Sequence, residues 1–174
     1  MSLVIRRMTV EDVPAAHAID VSSFTLPWPE RSFRFEVTDN PASRCWVAEL
    51  EGRIVGMLVL WLIVDEAHIA TLATHPEYRQ QGIAKNLLLT ALDYAHTEGA
   101  QTAFLEVRAG NLAARSMYRR FGFEEVGLRE RYYKDNNEDA ILMTLHRLPL
   151  APLSGMLDDR AARKTANDHQ TEDE

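Results

Sequence analysis

Arg79-Gln80-Gln81-Gly82-Ile83-Ala84 constrains this chain more than any other stretch. An apolar, strand-like run from Ile69 to Thr74 precedes it, and a strongly helical run from Lys85 to Thr97 follows. The loop therefore opens a helix. Gly82 has no Cβ, so the backbone there can pass close to whatever binds. Free N–H groups at a helix start form an anion site, best suited to phosphate. A plain strand–loop–helix connection with a chance glycine satisfies the same pattern, so the signal counts only in its context.

The rest of the chain supplies that context. Leu3 to Met8 reads as a first strand, and Thr9 with Asp12 has capping-box spacing for a helix running to Ser23. Pro27-Trp28-Pro29 breaks it, and a second helix follows over Glu30 to Val37. Cys45 to Leu50 and Arg53 to Val64 read as strands around a tight Glu51-Gly52 turn, with Glu66 to Thr74 next. Ala84, Leu87, Leu88, Ala91, Leu92 and Ala95 recur at helical spacing until Gly99. Thr102 to Val107 is a strand, and Asn111 is an N-cap candidate for a helix through Arg120. Glu124 to Leu128 and Ala140 to Leu145 close the sheet around a polar loop at Asp135-Asn136-Asn137. The order β-α-α-β-β-β-α-β-α-β-β describes a mixed α/β sandwich with a mostly antiparallel sheet.

At 174 residues the chain fits one domain with a sizeable core. Its net charge of −7 argues against a sequence-independent grip on nucleic acid. Cys45 stands alone, so neither an internal disulfide nor a multi-cysteine metal site is available, and a reducing cytoplasm fits. The run from Ile54 to Val64 contains Gly56 and is too short to span a bilayer as a helix. From Pro149 onward apolar residues thin out. Six acidic residues face three basic ones between Asp158 and Glu174, which reads as a mobile polar tail over residues 149–174.

Three motifs in register carry a resemblance. They are Arg79-Gln80-Gln81-Gly82-Ile83-Ala84, then Glu106-Val107-Arg108-Ala109-Gly110-Asn111, then Tyr118 ahead of Phe121-Gly122-Phe123. Together they resemble the GNAT acyl-CoA N-acyltransferases and, within them, the RimI-type N-terminal acetyltransferases. The resemblance covers Leu3 to Leu148 and implies the GNAT fold, α/β in the α+β sense, for residues 1–148. It implies acetyl-CoA as co-substrate and no metal. Arg79, Gln80, Gln81, Gly82, Ile83, Ala84 and Lys85 would surround the pyrophosphate. The backbone of Leu72, Ala73 and Thr74 would pair with pantetheine like an added strand. Asn111 would serve as both helix cap and coenzyme ligand. Ala84 stands where many members carry Gly.

Glu106 is the proposed base. Its strand faces apolar partners through Phe104 and Leu105, so a carboxylate there is an anomaly. An α-amine has a reference pKa of about 8, so a modest base suffices. A salt-bridged structural Glu is the other reading. Tyr118 lies two helical turns after Asn111 on the same face, and its phenol could protonate a leaving thiolate. A core aromatic is the alternative. His68 is a second candidate base, or structural, and His75 reads as a surface turn residue. Trp28, Tyr132 and Tyr133 resemble the aromatic residues that flank the family's peptide cleft, against core packing as the alternative. Glu138-Asp139-Ala140 matches the family's ending, with acidic groups able to hold a basic N-terminus.

The resemblance thus implies an N-acetyltransferase acting on the N-terminal alanine of protein eighteen of the small ribosomal subunit, with no membrane and no direct nucleic acid partner. The tail and Thr25-Leu26 depart from the compact bacterial pattern. Acetylation of a lysine or small amine is the alternative, and a non-catalytic acyl-CoA sensor is the third reading.

Overall fold

The computed structural model describes residues 2–148. The polar tail read over 149–174 lies outside the described residues. Seven strands and four α-helices follow one another as β1 (Leu3–Arg7), α1 (Val13–Ser23), α2 (Glu30–Thr38), β2 (Ser43–Leu50), β3 (Arg53–Ile63), β4 (Glu66–Thr74), α3 (Ile83–Thr97), β5 (Thr102–Arg108), α4 (Leu112–Phe121), β6 (Glu124–Tyr133) and β7 (Glu138–Leu145). Thr9 leads first into a 3-10 turn at Val10–Asp12 and only then into α1. The Asp12 carboxylate accepts from the Thr9 N–H at 2.8 Å and from both terminal nitrogens of Arg6, which joins the start of the turn to β1.

The strands form a single sheet in the order β1-β2-β3-β4-β5-β7-β6. Every pairing is antiparallel except β4 with β5. Val13, Ala16, Ile19 and Phe33 of α1 and α2 bury one face against Cys45, Val47, Met57 and Val59. Leu87, Leu88, Ala91 and Leu92 of α3, with Phe121 of α4, bury the other against Leu58, Leu60, Ala67 and Met143. Both faces are therefore covered, which explains why β3 is apolar almost throughout rather than alternating.

Two departures from a regular sheet shape its centre. The parallel pairing of β4 and β5 consists of Glu66 with Thr102, Ala67 with Ala103 and His68 with Phe104, and then the strands part. In β4 the register against β3 also slips, because Leu60 pairs with Ile69 while Val59 pairs with Thr71. Ala70 is the extra residue of this bulge. A bulge re-aims the side chains that follow it. Leu72 accordingly packs towards α3, whereas Ala70 and Ala73 pack towards α1 and α2.

Gly56 in β3 fixes how closely α3 lies on the sheet. A Cβ there would come within 2.8 Å of Ile83 Cγ2 and 3.0 Å of Leu87 Cδ1. Ile83 and Leu87 belong to the first turns of α3, so this missing side chain seats the helix start.

Candidate active site

The helix expected after the Gly82 loop is present and starts at Ile83, two residues before the Lys85 read from sequence. Gly82 is the N-cap of α3 with φ +79°, and no side chain caps it. Gln80 also has positive φ, at +63°. Two left-handed residues in three turn the chain sharply off the 3-10 turn at Pro76–Tyr78 and into the helix. Asn86 closes the first turn by donating its backbone and side-chain N–H to the Gly82 carbonyl, at 3.0 and 2.8 Å. With no side-chain cap, the first-turn N–H groups stand at the positive end of a 15-residue helix. Arg79 folds back along the loop. Its guanidinium donates to the Thr74 carbonyl and to Ser23 Oγ, each at 3.3 Å. His75 accepts from the Glu77 N–H at 3.2 Å and shapes the turn before the loop.

Where β4 and β5 part, a cavity of about 460 Å³ opens. Ile69 to Leu72 line one side and Leu105 to Arg108 the other. Asn111, Ala114 and Tyr118 come from α4, and Trp28 with the chain before it closes from α1. Thus Leu72, Glu106, Asn111, Tyr118, Trp28 and Tyr133 converge on one space. The loop residues Arg79 to Lys85, together with Ala73 and Thr74, lie outside that lining, further along β4 and at the start of α3. Along β4 from Ile69 to Thr74 no strand among the described residues pairs on the β5 side, so this backbone edge is open to a ligand.

Glu106 is not the anomaly that its apolar neighbours suggested. Strand alternation puts Ala103, Leu105 and Val107 into the core, and Glu106 on the open face with Phe104 and Arg108. Its side chain is 32% exposed and pairs with Arg129 at 3.4 Å. The negative charge of Glu106, and then a hydrogen bond to it, raise the Tyr132 hydroxyl above the ordinary phenol value.

Tyr118 is buried beneath the cavity, edge-on to Phe123 at 5.7 Å. Burial pushes its phenol well up, with the nearby Tyr133 a smaller cause. The ring stays protonated wherever an ordinary tyrosine would. Asn111 caps α4 by accepting from the Ala114 N–H at 3.2 Å, and it also lines the cavity.

The aromatic residues divide. Tyr133 lines the cavity, while Tyr132 falls in a stretch of β6 bulged away from β7 and is 42% exposed. The bulge carries β6 to Tyr133, past the Leu128 expected from sequence. Trp28 answers to both readings. It stacks on Trp61 at 6.3 Å, packs on Phe33 and still reaches the cavity. His68 stacks on Phe104 and contacts Glu66 at 2.8 Å, outside the cavity lining.

Sequence reading missed Asp20. This carboxylate is 1% exposed and lines the cavity, where it accepts from the Trp28 N–H at 2.7 Å. Burial raises its pKa against the hydrogen bonds from Trp28 and Thr71. An acidic residue near the end of α1 gave no signal, because its partners are a turn eight residues on and a strand in the middle of the sheet. Among the described residues no group of three or more His, Cys, Asp or Glu is placed to hold a metal ion. No helix among them is long and apolar enough to cross a membrane.

The model of the acetyltransferase (GNAT) family matches residues 13–123. The chain is 34% identical to the [ribosomal protein bS18]-alanine N-acetyltransferase of Escherichia coli (strain K12), over 81% of this chain and 95% of that protein. It is 37% identical to a Bacillus subtilis (strain 168) protein provisionally given the same name, over 80% and 92%. The crystal structure of the Escherichia coli ribosomal-protein-S18-alanine N-acetyltransferase superimposes with a TM-score of 0.77 at 32% identity, covering 83% of this chain and 93% of that one. Ard1 from Thermoplasma volcanium shares the fold, with a TM-score of 0.78 at 23% identity over 86% and 100%.

Proposed function

The chain belongs to the acetyltransferase (GNAT) family, and on that premise we propose that it moves the acetyl group of acetyl-CoA onto a protein N-terminal α-amine, that of the alanine of ribosomal protein bS18. The observation that carries this reading is the cavity between the parted ends of β4 and β5. It brings a half-exposed carboxylate and a buried phenol into one space beside a free strand edge. Similarity to bS18-alanine N-acetyltransferases supports the choice of amine.

Acetyl-CoA supplies an activated thioester. The free edge of Leu72, Ala73 and Thr74 offers backbone groups to the pantetheine amides, as an added strand would receive. The start of α3, with Gln80 to Lys85, offers N–H groups and a positive dipole end to the pyrophosphate. Asn111 holds the α4 end of this channel.

Glu106 accepts the proton that the ammonium must lose before its nitrogen can attack. Arg129 pairs with that carboxylate at 3.4 Å and holds it at the cavity. Tyr118 keeps its proton because burial disfavours the phenolate, so its hydroxyl offers a hydrogen bond to the departing thiolate, which takes its proton from solvent. No covalent enzyme intermediate is required. Trp28 and Tyr133 wall the amine side with flat, rigid surfaces.

The test is mass spectrometry of product peptides. The protein is incubated with acetyl-CoA and peptides beginning in Ala, Ser, Met or Gly, each with one internal Lys. Acetyl on the α-amine of the Ala peptide is expected. Acetyl on Lys, or on a free small amine alone, would replace this reading with another member activity. Coenzyme binding without turnover on any amine would leave a sensor.

A further inference from the structure

Arg108 follows Glu106 by two residues on the same face of β5, and its side chain is 21% exposed. Its guanidinium grips the Asp135 carboxylate with both terminal nitrogens, at 3.1 and 3.0 Å. It also donates to Asn136 Oδ1 and Glu138 Oε1, each at 3.3 Å, and to Thr25 Oγ1 at 3.3 Å. The guanidinium carbon lies 3.9 Å from the centre of the Tyr133 ring. Thr25 completes the arrangement by donating its hydroxyl to Asp135. Glu138 in turn accepts from the Gly110 N–H at 2.7 Å.

One side chain therefore ties three chain segments together at the cavity rim. They are the turn between α1 and α2, the end of β5 with the loop after it, and the turn between β6 and β7. Among the hydrogen bonds of the described residues, those of Thr25 to Asp135 and Arg108 join the first turn to the last. Thr25, Arg108, Tyr133, Asp135, Asn136 and Glu138 all line the cavity. None belongs to the stretch of backbone that faces the coenzyme.

We propose that Arg108 is a positioning residue that fixes the amine-side wall of the cleft and so sets affinity for an extended peptide. The inference rests on the peptide α-amine reading above. The forked pairing with Asp135 holds the β6–β7 turn against the α1–α2 turn, and the stacked guanidinium sets the Tyr133 ring. A wall held at fixed spacing grips the residues behind the acetylated one without first having to order itself. A single-residue amine has no residues behind it to lie along that wall and gains less from its fixed spacing.

The experiment compares wild type with Arg108→Gln, Arg108→Lys and Asp135→Asn, using an Ala-initial peptide, alaninamide and acetyl-CoA. Hydrogen exchange is followed over residues 24–28 and 133–138. Arg108→Gln should raise peptide KM by about tenfold or more, as expected for loss of charge-assisted, forked hydrogen bonds. The KM for acetyl-CoA, kcat and the kinetics on alaninamide should stay within about threefold. Exchange in both segments should rise together. Arg108→Lys keeps the charge but not the fork and should rescue only part of the effect. Asp135→Asn, which leaves Arg108 in place, should move in the same direction by less.

Unchanged exchange in either segment would overturn the proposal. So would equal rises in both KM values, or a fall in kcat at constant peptide KM. A wild-type protein that ignores the peptide but acetylates alaninamide would remove the peptide reading and this wall's role in specificity, while the exchange data would still decide whether Arg108 holds the two turns.

Discussion

The two walls of the cleft are built on different principles. The β4 wall, continued by the Gly82 loop, works through backbone: an unpaired strand edge and the bare N–H groups of a helix start. The β5 wall works through side chains: Glu106, Arg108 and, beneath them, Tyr118. A backbone wall tolerates side-chain variation but not a change of backbone path. A side-chain wall behaves the other way round. The comparison teaches that coenzyme affinity and amine chemistry should respond to separate sets of substitutions.

The largest effect should come from the side-chain wall. Glu106→Gln should lower kcat by roughly 10²–10⁴-fold, the usual span for a general base, with acetyl-CoA affinity little changed. Steady-state kinetics with calorimetric titration of the coenzyme separates the two, and unchanged turnover would take Glu106 out of the mechanism. Tyr118→Phe should cost about 10–10²-fold in kcat, because the departing thiolate then loses a hydrogen bond worth about 1.5–3 kcal/mol. The same residue makes a pH prediction. Burial raises its pKa, so the donor form persists to higher pH than in an ordinary tyrosine. The kcat profile should therefore stay flat through pH of about 10, where a free phenol would titrate. A fall in kcat centred there, absent in Tyr118→Phe, would show that this phenol titrates like an ordinary tyrosine.

The backbone wall should respond next, in binding rather than chemistry. Gly82→Val places a β-branched side chain at φ +79° and across the phosphate approach. Acetyl-CoA affinity should fall about tenfold or more, while the kcat reached at saturation changes less. Equal affinity by calorimetry would sink the claim that this loop receives the pyrophosphate.

Gly56→Ala should act on the same wall from behind. The new methyl would press on Ile83 and Leu87, at 2.8 and 3.0 Å, and push the start of α3 off the sheet. Overpacking of this kind costs about 1–3 kcal/mol, visible as a lower melting temperature. A loss of coenzyme affinity of about threefold should accompany it, since the loop moves with the helix. A stability loss with untouched coenzyme binding would mean that the loop is held independently of α3.

The two walls also differ in how far the sequence revealed them. The Gly82 loop was legible because a local pattern specifies it: an apolar run, a glycine and a helical repeat lie within 30 consecutive residues. Left-handed backbone at a helix start follows from such local chemistry. Glu106, Asn111 and Tyr118 were picked out by the motifs that resemble the family's, and all three reach one cavity. The face that Glu106 occupies was misread, because its apolar neighbours say nothing about which side of the strand is open. Asp20, Arg108 and Thr25 escaped as functional candidates. Their partners lie 8 to 110 residues away, and no spacing rule joins them. Tyr132 and Tyr133 looked equivalent, and a bulge in β6 then turned one into the cavity and left the other 42% exposed.

By itself the sequence determined the order of elements and the helix start after the Gly82 loop. These depend on hydrophobic period, glycine and capping chemistry, which act over a few residues. Tertiary structure alone decided that β4 and β5 part after three paired residues, that Ala70 bulges, and that Arg108 ties two distant turns into one wall. Strand separation is a competition among packing forces from both faces of the sheet. Its outcome is settled only when α1, α2, α3 and α4 are all in place.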